Sequence, residues 1–147
     1  MKAKTADEVF TEIVLEIFKV SGMLNTEGDK MTEEFGLSSA RWKVLGAISL
    51  SEELLTVPQI GRVMGQSRQA TQRLVDIMCK DGLLKLTDNP NHKRAKHVEL
   101  TVQGEQVFDQ LDKKNTPWAT AAASKLTAQE LETTLSTLQK MSEHFDC

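Results

Sequence analysis

Apolar side chains recur every three or four residues along most of this chain, which is the spacing of amphipathic helices. The first such stripe runs from residue 6 to about residue 24. A polar, glycine-containing stretch follows at 25–37, and we expect it to be a loop or a short helix. Either Ser38 or Ser39 then caps the next helix. The first third of the chain is therefore predicted to be mainly helical.

Two further helices are predicted in the middle of the chain, with a short turn between them. Thr56 and Gln59 have the spacing of a capping box, so a helix is expected to begin there. Gly65 breaks this helix. Ser67 then opens a second helix, which Gly82 ends in the manner of a C-terminal cap.

The apolar period changes from helical to alternating after residue 83. Leu84 and Leu86, then Val98 and Leu100, lie two residues apart, as in strands. The turn-rich stretch 88–94 separates the two pairs, so we expect a hairpin with a long loop.

The last part of the chain returns to helical spacing. Thr101 is expected to start a helix that Pro117 either kinks or ends. Thr127 and Glu130 form a capping box before the final apolar stripe. The predicted fold class is mainly α with a small β-hairpin.

The composition is typical of a globular domain and offers little for catalysis. The chain has 147 residues, 39% of them hydrophobic and 27% charged. Its two cysteines, Cys79 and Cys147, and its three histidines show no metal-ligand spacing, and we expect no metal, cofactor or enzymatic activity. The first residues do not resemble a signal peptide, and no apolar run approaches the roughly 20 residues that span a bilayer. A cytoplasmic location without membrane contact is the expectation.

The charge is distributed unevenly along the chain. Residues 56–100 contain eight Lys or Arg against four Asp or Glu, a net charge of +4, whereas the remainder carries −7. A basic centre between acidic ends is compatible with a local nucleic-acid surface, although uneven charge alone is weak evidence.

The helix that Ser67 opens has two different faces at about 100° per residue. Ala70, Leu74, Ile77 and Met78 fall on one side, and Thr71 lies at the border. The opposite side carries Arg68, Gln69, Gln72, Arg73 and Asp76. Its arginines and glutamines suit base edges in a DNA major groove. Ser67 and the helix N-terminus suit a phosphate. A solvated face is the alternative, but residues 67–73 contain no acid, which favours DNA.

The predicted hairpin carries a second basic group, Lys93, Arg94 and Lys96, at and after its tip. A basic loop beside a recognition helix can follow phosphates or enter the minor groove. An ordinary solvated loop tip is the alternative. The order of helix, turn, helix and basic hairpin favours binding to double-stranded DNA.

Four segments of the chain resemble the MarR family of bacterial winged helix-turn-helix regulators. They are LSSARWKVL at 37–45, TVPQIGRVMGQSRQATQRLVD at 56–76, DGLL at 81–84 and NPNHKRAKHVELTVQG at 89–104. The resemblance extends over roughly residues 8–145, and its central part is the most specific.

The resemblance implies a homodimer on a pseudo-palindromic operator. It assigns residues 37–100 to a winged DNA-binding lobe and residues 6–28 and 101–146 to dimerisation helices. The recognition helix would use Ser67, Arg68, Gln69, Thr71, Gln72 and Arg73, and Arg94 would be the wing-tip arginine. The family usually has Asp, which braces the wing, where this chain has His92. This histidine either makes wing binding sensitive to pH or is simply exposed.

The resemblance also implies a small aromatic or phenolic effector. Its candidate pocket residues are Phe18, Met23, Trp42 and Phe108, which are equally suited to an ordinary core. Some relatives sense oxidants through a cysteine in the first helix, which here has none; for Cys79 we expect an unreactive, half-buried thiol.

The apolar stripes at both chain ends give the dimer an independent basis. They are hard to bury on a lobe of about 65 residues, so a second copy is expected to cover them. The alternative is that they pack on each other within one chain.

The leading functional hypothesis is a sequence-specific DNA-binding repressor or activator, with repression favoured. The second is a winged-helix protein-interaction module that has lost DNA binding, for which the acidic overall charge and His92 leave room. An enzyme has almost no support.

Overall fold

Helices dominate residues 2–146, which are the residues that the computed structural model describes. Cys147 lies outside them. The helices are α1 (Ala6–Thr32), α2 (Ser39–Ser49), α3 (Val57–Met64), α4 (Arg68–Lys80), α5 (Val102–Ala123) and α6 (Ala128–Phe145). The strands are β1 (Leu55–Thr56), β2 (Leu84–Thr87) and β3 (His97–Leu100), and a short 3-10 turn spans Glu33–Phe35. This confirms the predicted fold class.

The chain divides into two units, Met1–Leu111 and Asp112–Cys147, so that α5 begins in the first and ends in the second. The first unit contains the helix-turn-helix and the sheet. The second contains the end of α5 and all of α6. No helix within residues 2–146 is both long enough and apolar enough to cross a membrane.

The sheet has one more strand than the sequence predicted. The hairpin of β2 and β3 is present, with Leu86 opposite Val98. β1 adds to the other edge of β3, with Leu55 also opposite Val98, so the strand order is β1-β3-β2. A two-residue strand is too short to show an alternating period, and therefore the pattern could not reveal it.

The prediction that residues 25–37 form a loop or a separate short helix was wrong for most of that stretch. α1 continues to Thr32 because its last turns pack closely against α2. A Cβ atom on Gly28 would lie only 2.7 Å from the Cβ of Ser39. Asp29 Oδ1 accepts the backbone N–H of Ser39 at 2.8 Å, and Ser38 is the residue that caps α2.

The two predicted boundaries in the last third have different outcomes. Pro117 does not end its helix, since α5 continues to Ala123. The capping box before α6 is confirmed: Glu130 donates its backbone N–H to Thr127 Oγ1, and the Glu130 carboxylate accepts the backbone N–H of Thr127, both at 3.0 Å. That hydrogen bond to the Thr127 backbone is the main reason why the pKa of Glu130 is lowered.

The core of the first unit lies between α2, α3, α4, the sheet and the start of α5. Fully buried side chains come from each of these elements, so the helix-turn-helix is fixed to the sheet by one apolar cluster. Its members are Val44, Leu45, Leu55, Val57, Ile60, Val75, Met78, Leu83, Leu84, Val98 and Leu111.

Candidate nucleic-acid interface

The turn between α3 and α4 depends on two glycines. Gly65 caps α3 in the left-handed region, with φ of 65°, where a side chain is unfavourable. A Cβ on Gly61 would lie 2.9 Å from the backbone oxygen of Gln66 and 3.0 Å from Thr71 Oγ1. The absence of a side chain at Gly61 therefore allows the two helices to approach closely.

Ser67 fixes the start of the recognition helix α4. Its hydroxyl accepts the backbone N–H of Ala70 at 3.2 Å, as an N-cap does. Ser67 is exposed, and the first turn of α4 contains no acidic side chain. The N-terminal end of α4 therefore combines free space with a helix dipole that favours an anion.

Four of the six predicted recognition-helix residues form an exposed face on α4. Arg68, Gln69, Gln72 and Arg73 are all exposed, and all follow Ser67 within two turns. Within residues 2–146, neither Arg68 nor Arg73 has a carboxylate partner. Both guanidinium groups therefore remain available to a base edge or a phosphate.

Thr71 requires a correction, because it is a packing residue rather than part of this face. It is 0% exposed, and its hydroxyl donates to the backbone oxygen of Ser67 at 2.8 Å. The Gln66 side chain lies 3.2 Å from the same hydroxyl. Ile77, placed on the apolar side from the sequence, is 43% exposed, whereas Val75 is fully buried. The buried arc of α4 is thus centred on Thr71, Val75 and Met78.

Asp76 accepts a hydrogen bond from Gln72, one residue of the exposed face. Gln72 Nε2 donates to Asp76 Oδ1 at 2.8 Å, one helical turn further along. Both side chains are exposed. The sequence placed Asp76 on this face but gave no sign of the contact.

Two side chains close the wing loop by hydrogen bonding to the backbone of Ala95. Asn89 Nδ2 donates to the backbone oxygen of Ala95 at 2.9 Å. His92 Nδ1 accepts the backbone N–H of Ala95 at 3.1 Å. His92 therefore supplies a hydrogen-bond acceptor at the position where the resembled family usually has an aspartate.

The three basic residues of the wing project into solvent. Lys93 and Arg94 lie within the four-residue segment that His92 and Ala95 enclose, and both are exposed. Lys96 Nζ lies 4.0 Å from Asp88 Oδ1, a weak contact between exposed groups. The loop thus presents cations on a backbone that Asn89 and His92 hold in place.

The structure does not bring the four candidate pocket residues into one enclosed site of the single chain. Phe18 is 70% exposed and Met23 is 55% exposed on α1. Trp42 and Phe108 instead pack against the apolar core of the first unit. The expected pocket at the dimerisation helices therefore stays a prediction.

Cys79 is half-buried near the end of α4, as expected. Burial, and secondarily the negative charge of Asp76, raise the pKa of its thiol. A raised pKa leaves less thiolate at neutral pH, and the thiolate is the reactive form. Residues 2–146 contain no group of three or more His, Cys, Asp or Glu that could hold a metal ion.

Sequence reasoning missed some residues that support this interface. Asn89 closes the wing loop through its hydrogen bond to the backbone oxygen of Ala95. Arg41 forms an ion pair with Asp81 at 3.3 Å, which joins α2 to the end of α4. Asn in a turn-rich segment is a general signal for such side-chain-to-backbone bonds, and it could have drawn attention to Asn89. The Arg41–Asp81 pair is separated by 40 residues and leaves no local pattern.

Two known proteins with related sequences cover much of the chain. The chain is 29% identical over 136 residues to the uncharacterized protein Rv2011c of Mycobacterium tuberculosis, a match covering 92% of this chain and 93% of that protein. It is 26% identical over 106 residues to the transcriptional activatory protein BadR of Rhodopseudomonas palustris, covering 71% of this chain and 61% of BadR.

Solved structures share the fold at lower identity. BldR of Sulfolobus solfataricus, a transcriptional regulator, matches with a TM-score of 0.84 and 19% identity, covering 97% of this chain and all of BldR. CouR of Rhodococcus jostii, solved with p-coumaroyl-CoA, has a TM-score of 0.79 and 21% identity over 88% of this chain and 91% of CouR. MepR of Staphylococcus aureus, solved with DNA, has a TM-score of 0.72 and 18% identity over 98% of this chain and all of MepR.

The helix-turn-helix, the wing and these structural matches define a winged-helix fold. Of the matching proteins, BldR is a transcriptional regulator and BadR is a transcriptional activatory protein. Residues 35–95 of the chain match the model of the MarR family. This is a family of regulators rather than of enzymes, as the sequence led us to expect.

Proposed function

We propose that this chain binds DNA sequence-specifically as a homodimer on a pseudo-palindromic operator and represses transcription there. The observation that carries the proposal is the exposed, acid-free start of α4, where Arg68 and Arg73 have no carboxylate partner within residues 2–146. Arginine donates two hydrogen bonds to guanine, and glutamine pairs similarly with adenine. Ser67 and the N-terminus of α4 would position the helix on a phosphate.

The wing adds a second proposed contact. Lys93, Arg94 and Lys96 would lie along the phosphates or enter the minor groove beside the major groove that α4 occupies. Their backbone is held by Asn89 and His92, so little ordering remains to be done on binding. In this account the lobe of residues 37–100 contacts the duplex, and the protein acts in the cytoplasm, where the DNA lies.

The homodimer rests on apolar side chains that one chain leaves in solvent. On α1, large apolar residues at 38–70% exposure include Phe10, Ile13 and Phe18. On α6, Leu131, Leu135 and Leu138 are 42–59% exposed at helical spacing. Faces of this kind mark interaction sites, and we propose that residues 6–28 and 101–146 bury them against a second copy.

Relief of repression by a small aromatic or phenolic ligand completes the proposal. CouR shares the fold and was solved with p-coumaroyl-CoA. In this chain Phe18, Met23, Trp42 and Phe108 would contribute apolar lining once a second copy covers α1. A panel of aromatic acids that releases bound DNA, with loss of the effect in Phe18→Ala, tests this component.

The main test is selection of duplexes from a random pool by the purified full chain, followed by measurement of the affinity of variants for the selected duplex. We expect Arg68→Ala to weaken binding by about 1–3 kcal/mol, the usual contribution of an arginine that contacts a base. Lys125→Ala is the matched control, because it removes the same charge from an exposed residue between α5 and α6. If no duplex is enriched, the alternative of an interaction module without DNA binding replaces the proposal.

A further inference from the structure

A glutamine and an aspartate are joined at the middle of the exposed face of α4. Gln72 Nε2 donates to Asp76 Oδ1 at 2.8 Å, and both side chains are exposed. At about 100° per residue, Asp76 lies between Gln69 and Gln72 around the helix. An acidic residue therefore occupies the part of the surface that would face DNA, where its charge repels phosphates.

The contact limits how the Gln72 amide can point. A carboxylate only accepts hydrogen bonds, whereas a glutamine amide has one accepting oxygen and two donating N–H groups. Rotating the amide by 180° would bring its oxygen against the Asp76 carboxylate. The contact therefore favours the orientation in which nitrogen faces Asp76 and Oε1 stays free.

The atoms that remain available match adenine. With one N–H engaged by Asp76, Gln72 retains one N–H and Oε1. In the major groove adenine presents the N7 acceptor and the N6 donor, while guanine presents two acceptors, N7 and O6. An amide that can rotate freely can turn its nitrogen toward guanine O6 more readily than one that is held.

We propose that Asp76 is a positioning residue for sequence recognition, which orients the Gln72 amide so that it selects adenine over guanine at one operator position. The inference rests on the proposed function, since it requires that α4 lie in the major groove. The negative charge of Asp76 weakens binding to every duplex, and the orientation of Gln72 increases the difference between duplexes. Pairs of this kind add little to the stability of a helix.

The experiment begins by locating the base pair that Gln72 contacts. Duplexes are selected from a random pool with the wild-type chain, and the best one is changed at each position to measure affinity for the wild type and for Gln72→Ala. We expect a position at which the wild type prefers adenine to guanine by roughly 10-fold or more. Gln72→Ala should lose the preference at that position and retain the others.

The aspartate is then replaced in two ways. Asp76→Ala removes both the acceptor and the charge. Asp76→Asn removes the charge and leaves an amide that can donate to Gln72 Oε1 as well as accept from Nε2. Both variants should bind a scrambled duplex more tightly than the wild type does. Both should also reduce the adenine preference to below about 3-fold, because neither holds the Gln72 amide in one orientation.

A double variant assigns the effect to Gln72. In the Gln72→Ala background, Asp76→Ala should cause no further loss of preference at that position. Unchanged thermal unfolding midpoints would show that each variant folds.

Three results would overturn the inference while leaving DNA binding intact. They are a full adenine preference in Asp76→Ala, a full adenine preference in Asp76→Asn, or no position that responds to Gln72→Ala. Failure of the wild type to enrich any duplex would instead overturn the proposed function itself.

Discussion

His92 and Ala95 are joined across the tip of the wing, where His92 Nδ1 accepts the backbone N–H of Ala95 at 3.1 Å. Asn89 binds the carbonyl of Ala95 at 2.9 Å, so both polar groups of one peptide residue are engaged by side chains. Lys93 and Arg94 lie between the two ends of this contact. The histidine therefore braces a loop whose cations we propose to contact DNA.

Replacement of His92 tests the brace. His92→Ala removes the acceptor, so the amide hydrogen of Ala95 should exchange faster with solvent, and the affinity for a selected duplex should fall by about 0.5–1.5 kcal/mol. His92→Asp offers another acceptor and should preserve both quantities. Amide exchange by NMR and fluorescence anisotropy are the measurements. Equal exchange rates for Ala95 in the wild type and His92→Ala would show that the contact does not hold the loop.

The approach of α3 to α4 predicts an unusual cost for a small substitution. In Gly61→Ala the added methyl group would meet the backbone oxygen of Gln66 at 2.9 Å, which cannot move without shifting the turn. We expect the free energy of unfolding to fall by about 1–3 kcal/mol.

Gly46→Ala in α2 is the matched control for Gly61→Ala, because a Cβ at Gly46 would meet only Phe108, at an ordinary contact distance of 3.8 Å. It should raise the free energy of unfolding by about 0.5–1 kcal/mol through helix propensity. Urea unfolding followed by circular dichroism measures both. Equal stabilisation by the two alanines would contradict the close packing described for the turn.

The exposed stripe on α6 predicts an oligomer that a single charge disrupts. Leu135, which is 59% exposed in one chain, should be buried in the dimer, so Leu135→Glu should convert the dimer to monomer at micromolar concentration. Ser136→Glu adds the same charge beside the stripe and should remain dimeric. Sedimentation equilibrium distinguishes the two species. A wild type that is monomeric throughout would refute the proposed dimer.

The thiol of Cys79 is predicted to react slowly with alkylating reagents. Its raised pKa, caused first by burial and then by Asp76, keeps it protonated at neutral pH. In a Cys147→Ser background, alkylation by iodoacetamide at pH 7 should be slower than that of glutathione and should increase as the pH rises past the ordinary range of a cysteine. Rapid alkylation at pH 7 would indicate an activated thiol and would reopen a role in oxidant sensing.

The sequence was informative where structure depends on short-range patterns. The capping residues Thr56, Ser67 and Thr127 start their helices as predicted, because an N-cap and its partner are neighbours in the chain. The sequence was uninformative where contacts between distant residues decide the secondary structure. The last turns of α1 are helical because Gly28 and Asp29 meet α2, and β1 exists because β3 is beside it.

The same contrast between short-range patterns and packing applies to the candidate interface. The exposed polar face was predicted from periodicity, and Arg68, Gln69, Gln72 and Arg73 are exposed accordingly. Thr71 was misplaced because it lies at the border of the two faces, where a short hydroxyl side chain suits either environment. Its burial follows from the close approach of Gly61, which no local pattern reports.

Fluorescence anisotropy at several salt concentrations tests the central claim, sequence-specific DNA binding, most directly. The purified full chain would be titrated onto the duplex from its own upstream intergenic region and onto a scrambled duplex of equal length. We predict tight, preferential binding to the first, with affinity falling steeply as salt rises, because several phosphate contacts release counterions. Equal, weak binding to both duplexes, also with a duplex selected from a random pool, would contradict sequence-specific DNA binding.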